Sequence, residues 1–86
     1  MTTTSQFFAV CAVYKDGEYS RVPASSQRFD NEYHARLHRD ELVRKGAINA
    51  FVARLAVVKM TEEREHYMDG TSWGHIISIE DVEEVA

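Results

Sequence analysis

The stretch that decides the fold runs from Ile48 to Met60 and reads Ile-Asn-Ala-Phe-Val-Ala-Arg-Leu-Ala-Val-Val-Lys-Met. Its apolar residues fall on both alternating positions, so an extended chain would present apolar side chains to both faces of a sheet. The three valines and Phe51 favour a strand over a helix, because β-branched and aromatic side chains fit a pleated surface. We therefore predict a central strand covered on both faces, in which Arg54 must reach water or find an acid.

The length and composition of the chain predict one globular domain. It has 86 residues, of which 44% are hydrophobic and 28% are charged, as in ordinary globular proteins. The chain lacks an apolar run of about 18 residues and the pattern of a signal peptide, so we expect a cytoplasmic protein without a membrane span. The lone Cys11 is expected to be a small core residue. We expect residues 1–5 to form a frayed tail and residues 6–86 to form a single α+β domain.

A second two-faced apolar stretch, Phe7–Tyr14, comes directly before Asp16-Gly17. Asp-Gly between apolar runs predicts a hairpin with a two-residue turn, which would place Tyr14 opposite Tyr19. Pro23 cannot donate to a strand ladder, so the second strand is an edge strand or ends there.

A helix is predicted between this hairpin and the central strand, from about Asn31 to Lys45. Asp30 is a suitable N-cap, because its carboxylate can accept a backbone N–H that has no partner in the helix. Gly46 suits the left-handed position just after the helix end.

The last third of the chain allows two interpretations. Thr61-Glu62-Glu63 is typical of a helix start, so a short helix through Met68 is the first interpretation and a continued hairpin is the second. Residues 75–79 (His-Ile-Ile-Ser-Ile) read as the last strand.

These elements assemble into a ββα-β-(α)-β domain with a four-stranded antiparallel sheet of order 2-1-3-4 and one main helix packed on one face. We assign Phe8, Tyr14 and Tyr19 to the outer face, because tyrosines tolerate a half-wet position. An apolar face left open would mark an interface. The alternative is that the second helix, Trp73 and the C-terminal tail fold across it.

Charge is unevenly distributed along the chain. Residues 1–60 carry a net charge of +3 and residues 61–86 a net charge of −7, which gives −4 for the whole. Carboxylates on a fixed scaffold can occupy a partner's basic groove as phosphates would. The alternative is that these acids are solvated or neutralise the domain's own arginines. The acids of the two groups are Glu62, Glu63, Glu65 and Asp69, and Glu80, Asp81, Glu83 and Glu84.

The residues that could carry chemistry are few. His34 and His38 are four apart on the predicted helix and could share a zinc ion, but the ligand set is incomplete. No Gly-rich phosphate loop or nucleophile elbow appears, so we assign no catalytic, cofactor-binding or metal residue. Direct nucleic-acid binding is disfavoured by the net negative charge and by the lack of a binding motif.

The leading hypothesis is a small cytoplasmic, non-enzymatic protein-binding module. It would dock its acidic surface or open sheet face onto a basic nucleic-acid-binding protein, as a phage- or plasmid-type inhibitor of the anti-CRISPR class would. One alternative is a homodimeric accessory domain that pairs through its sheet. Another is a metal-binding or small enzymatic domain that uses His34 and His38.

Overall fold

The computed structural model describes residues 1–23, 26–46 and 48–83. One helix and three strands form an α+β fold, and the strands make one antiparallel sheet of order β1-β2-β3. Within this described part of the chain, no helix has the length and apolar character needed to cross a membrane. The elements in chain order are β1 (Thr2–Tyr14), α1 (Glu32–Arg44), β2 (Val52–His66) and β3 (Ser72–Asp81).

The predicted four-stranded sheet of order 2-1-3-4 is wrong, because the expected second strand is reduced to an isolated bridge between Val13 and Tyr19. The turn before it has three loop residues instead of two, since the Tyr14 N–H donates to the Glu18 carbonyl at 2.8 Å. In this turn only Gly17 takes a positive φ, of 91°, as in a type I turn followed by a bulge. Because of the extra loop residue, Tyr19 lies opposite Val13 and not opposite Tyr14 as predicted.

The predicted short helix after the central strand is also wrong, and the hairpin kept as the second interpretation forms instead. β2 continues to His66 and turns back into β3. Residues 2–5, expected to be a frayed tail, pair in β1 with residues 62–65 of β2. Residues 62–65 therefore pair with β1 on one side and with β3 on the other. Such tertiary pairing overrides the local helix-start signal of Thr61-Glu62-Glu63.

The helix lies on the sheet face opposite to the one expected. Asn31, not Asp30, is its N-cap, and the Asn31 side chain accepts the His34 N–H at 3.1 Å. Leu42 of α1 packs against Val10 and Leu55, so α1 covers the face that also carries Phe8 and Tyr14. The assignment of Phe8, Tyr14 and Tyr19 to an open outer face is therefore wrong, because α1 packs on the face of the first two.

The other face of the sheet is covered by the loop that follows β1. Tyr19 packs against this face, and the Arg28 guanidinium lies 4.2 Å from the centre of the Phe7 ring. Cys11 is fully buried there, which confirms its predicted place in the core. Burial is the main cause that raises the pKa of its thiol to about 11, so the thiol stays protonated at neutral pH. The buried residues of this cluster are Phe7, Ala9, Cys11, Val13, Ala56, Val58 and Met60.

Candidate binding surface at the hairpin end

Three of the acids predicted to face a partner are bound to the protein's own arginines. Glu62 is buried and accepts both Nη atoms of Arg28, at 3.2 and 2.8 Å. The hydrogen bond from Arg28 is the main reason that the pKa of Glu62 lies below its usual value. The Asp81 side chain is only 4% exposed and accepts Arg54 at 2.7 Å. Glu83 forms ion pairs with Arg39 and Arg36.

Two further acids serve the local backbone or the chain terminus. Glu65 binds the Thr2 hydroxyl and the N-terminal amine. Asp69 accepts the N–H and the hydroxyl of Thr71 at 3.0 and 2.7 Å, and these bonds lower its pKa. Both acids therefore hold structure that the sequence alone did not reveal.

The acids also do not form one surface. Glu62 and Glu63 are neighbours in a strand, so their side chains point to opposite faces of the sheet. Asp69 precedes β3 and Asp81 ends it, and the ten residues of this strand span about 30 Å. Glu63 and Glu80 form no ion pair with any residue that the structure describes. Glu84 lies outside the described residues.

The two histidines considered for zinc each contact an aromatic ring. The His34 ring lies 5.9 Å from that of Tyr33, and the His38 ring lies 5.3 Å from that of Phe29. Among the residues that the structure describes, no three His, Cys, Asp or Glu side chains come together as a metal site would require.

The sheet extends well beyond the core on one side. Past Phe7 and Met60 none of the described apolar side chains is fully buried, although Ile76 is half-buried against the core and the three strands remain paired. The molecule is accordingly elongated, with extents of 44 × 28 × 26 Å. We call this extension the hairpin arm; it contains residues 2–6, 61–66 and 72–78 and the turn 67–71.

Four large apolar side chains are exposed where the hairpin arm ends. Met68 in the turn is fully exposed, and Trp73 is 61% exposed. Methionine and aromatic residues are enriched in protein interfaces, and an exposed group of them marks a candidate contact site. We call the four residues together the hairpin end: Met1, Tyr67, Met68 and Trp73.

The backbone at the hairpin end is well bonded. The Tyr67 N–H donates to the Thr71 carbonyl at 2.9 Å, and the His66 N–H donates to the Met1 carbonyl at 2.8 Å. The Trp73 ring stacks on His75 with its centroid 5.0 Å away. These contacts hold the exposed side chains on an ordered frame, which lowers the entropy cost of binding.

Arg64 stabilises the face of the hairpin arm that points away from Trp73. Its guanidinium lies across Gly74, the residue opposite it in the ladder. A Cβ atom at Gly74 would stand 2.9 Å from an Arg64 Nη atom, so the glycine leaves room for the guanidinium. Arg64 donates to Ser72 at 3.2 Å and to Glu62 at 3.4 Å. This close approach explains a glycine inside a strand, and it joins both strands of the hairpin to the buried carboxylate.

Sequence reasoning missed the hairpin end because it assigned Tyr67 and Met68 to the end of a helix. The signal that could have located it is Asp69-Gly70, a turn dipeptide between Tyr67 and Trp73. No protein-family model, curated protein or solved structure matches this chain.

Proposed function

We propose that this protein is a non-enzymatic module that binds a protein partner through the hairpin end. The observation that carries the proposal is the exposure of Tyr67 and Met68 on an ordered turn and of Trp73 at the start of the strand that follows it. The turn lies at the far end of an arm that adds no fully buried apolar side chain among the described residues. Burial of such a side chain against a partner contributes roughly 1.5–3 kcal/mol, a gain that the monomer leaves unused.

The acidic surface is a weaker basis for binding. Glu62, Asp81 and Glu83 already neutralise arginines of the same chain, and separating these pairs would cost stability. A partner of the hairpin end needs an apolar pocket for Trp73 and Met68 instead of a basic groove. An inhibitor role of the phage or plasmid type suits a protein that acts by binding without catalysis. Identification of the partner would test this inhibitor role.

We expect the double variant Trp73→Ser/Met68→Ser to weaken partner binding about tenfold or more, because interface anchors of this kind contribute more than 1 kcal/mol each. The wild-type chain first captures its partner from the native host, and calorimetry with the purified partner then gives the affinities. Phe51→Ser is the matched control, since Phe51 is an exposed aromatic residue outside the hairpin arm. The control should bind like the wild type.

One outcome would reject the hairpin end as the binding surface. In that outcome Trp73→Ser/Met68→Ser binds like the wild type while Glu63→Lys/Glu80→Lys loses binding. The partner would then contact Glu63 and Glu80, the two acids that have no ion pair among the described residues. Thermal melts of every variant exclude loss of folding as the cause.

A further inference from the structure

β3 is an outer strand of the sheet and has no strand partner on its outer side among the described residues. It is ten residues long, about twice the usual strand length. An outer strand presents unpaired N–H and C=O groups, which can pair with another chain. The outer edge of β1, by contrast, is partly occupied, because Phe29 bridges Phe8 and Ser20 donates to Ala12 at 2.8 Å.

The outer edge of β3 lacks two of the features that usually protect edge strands. The segment Ser72–Asp81 contains no Lys and no Pro, the residues that most often block pairing. Two protective features act at its middle: the bulge opposite Thr61/Glu62, and Arg21, which donates to the Ile76 carbonyl at 3.1 Å. Ile77 lies at the same place and is 46% exposed, so an apolar side chain stands at the centre of the edge.

The charges of β3 are compatible with pairing between two copies in the antiparallel direction and disfavour the parallel one. Its only acids, Glu80 and Asp81, stand at the C-terminal end. In an antiparallel pair of two β3 strands centred on Ile77, these acids would face the uncharged Gly74 and Trp73 of the other copy. A parallel pair would place Glu80 against Glu80, and like charges directly opposite each other are destabilising.

We propose that a second copy of this chain pairs with the first through β3, antiparallel and with the twofold axis near Ile77. The two three-stranded sheets then form one continuous sheet, and the contact closes on itself because the same edge is used twice. This inference does not depend on the hairpin end as a binding surface. Antiparallel pairing would point the two hairpin ends in opposite directions, so a dimer could hold two partners.

Sedimentation velocity of the full chain over a range of concentrations tests this dimer. We expect a species with twice the 9.9 kDa mass of the chain. Ile77→Lys brings two positive charges together at the axis and should weaken the dimer about tenfold or more. Phe51→Lys introduces the same charge at an exposed site outside β3 and should leave the dimer unchanged.

A cysteine at the axis gives a second, geometric readout. Oxidised Ile77→Cys should form a disulfide between two chains, because facing residues of antiparallel strands have Cα atoms about 4.5–5.5 Å apart, within the range of a disulfide. Cys11 is buried and does not compete. Phe51→Cys, at an exposed site outside β3, is the control and should not form a specific dimer.

The inference is overturned if the wild type stays a monomer, or if it forms a dimer that Ile77→Lys leaves intact and Ile77→Cys cannot link. If the wild type is a monomer and Ile77→Lys loses the captured partner, the edge of β3 pairs with a strand of another protein. That result also overturns the proposed dimer. If the wild type is a monomer but the hairpin-end variant Trp73→Ser/Met68→Ser still loses its partner, only the dimer is overturned. The proposed function then stands. Thermal melts show whether each variant is folded.

Discussion

We expect Met60→Ala to lower the free energy of unfolding by about 3 kcal/mol, and Met68→Ala to change it by less than about 0.5 kcal/mol. Met60 is fully buried, lies opposite Phe7 in the ladder and belongs to the cluster against which Ile79 packs. Truncation there leaves a cavity in the core, at the point where the hairpin arm begins. Met68 contacts solvent, so its removal takes away no packing.

Urea unfolding of both variants measures the difference. A domain of this size has a total stability of about 5–15 kcal/mol, so the loss at Met60 is a large part of the whole. Equal effects at the two positions would contradict the boundary between core and arm. We expect Met68→Ala to reduce partner binding instead, which separates a residue kept for folding from one kept for contact.

The part of the fold that could be predicted from the sequence rests on alternation. The apolar residues of Phe7–Tyr14 and of the central stretch mark two strands covered on both faces, and in the structure residues 52–60 of that stretch pair with Phe7–Tyr14. Residues 48–51, predicted to belong to the same strand, precede β2, and Phe51 is exposed. The errors in the second strand and in the short helix came from short-range signals. The Asp16-Gly17 dipeptide allows more than one loop length, and the Thr61-Glu62-Glu63 pattern is outweighed by pairing with residues 2–5, which are remote in the sequence.

The candidate site was less predictable, because charge counts do not show which charges are paired. Glu62 and Arg28 are 34 residues apart, and Arg39 and Glu83 are 44 apart, so only the folded chain reveals that they neutralise each other. The exposure of Trp73 follows from the length of the arm beyond the core, and no local pattern encodes it. The alternative interpretation of the sequence, in which the acids neutralise the domain's own arginines, holds for Glu62, Asp81 and Glu83.

The second large effect is expected at Arg54, a charge within the apolar run of β2. Its guanidinium donates to Asp81 at 2.7 Å, and the Tyr19 hydroxyl donates to the same carboxylate at 3.1 Å. We expect Arg54→Met to cost about 1–3 kcal/mol at neutral pH, because it leaves a buried carboxylate without its cation, although the 43% exposure of Arg54 screens part of the pair. Methionine keeps much of the apolar stem, so the loss of packing is small.

The pH dependence distinguishes this electrostatic effect from a packing defect. Burial acts to raise the pKa of Asp81, but the hydrogen bonds from Arg54, the Glu83 N–H and Tyr19 together hold it below its usual value. In the wild type, therefore, Asp81 contributes stability above its unfolded-state pKa and loses it as the pH falls through the lower folded-state pKa.

Removal of Arg54 weakens that contribution. It takes away the largest of the causes that lower the folded-state pKa of Asp81, so this pKa rises toward its unfolded-state value and the stability that Asp81 contributes above it shrinks. The gap in unfolding free energy between wild type and Arg54→Met should thus narrow as the pH falls below about 4. The double variant Arg54→Met/Asp81→Asn, which has no carboxylate at this site, should regain part of the stability at neutral pH. A gap that stays constant from pH 7 to pH 3 would contradict the ion pair, and would mean that Arg54 acts through its stem alone.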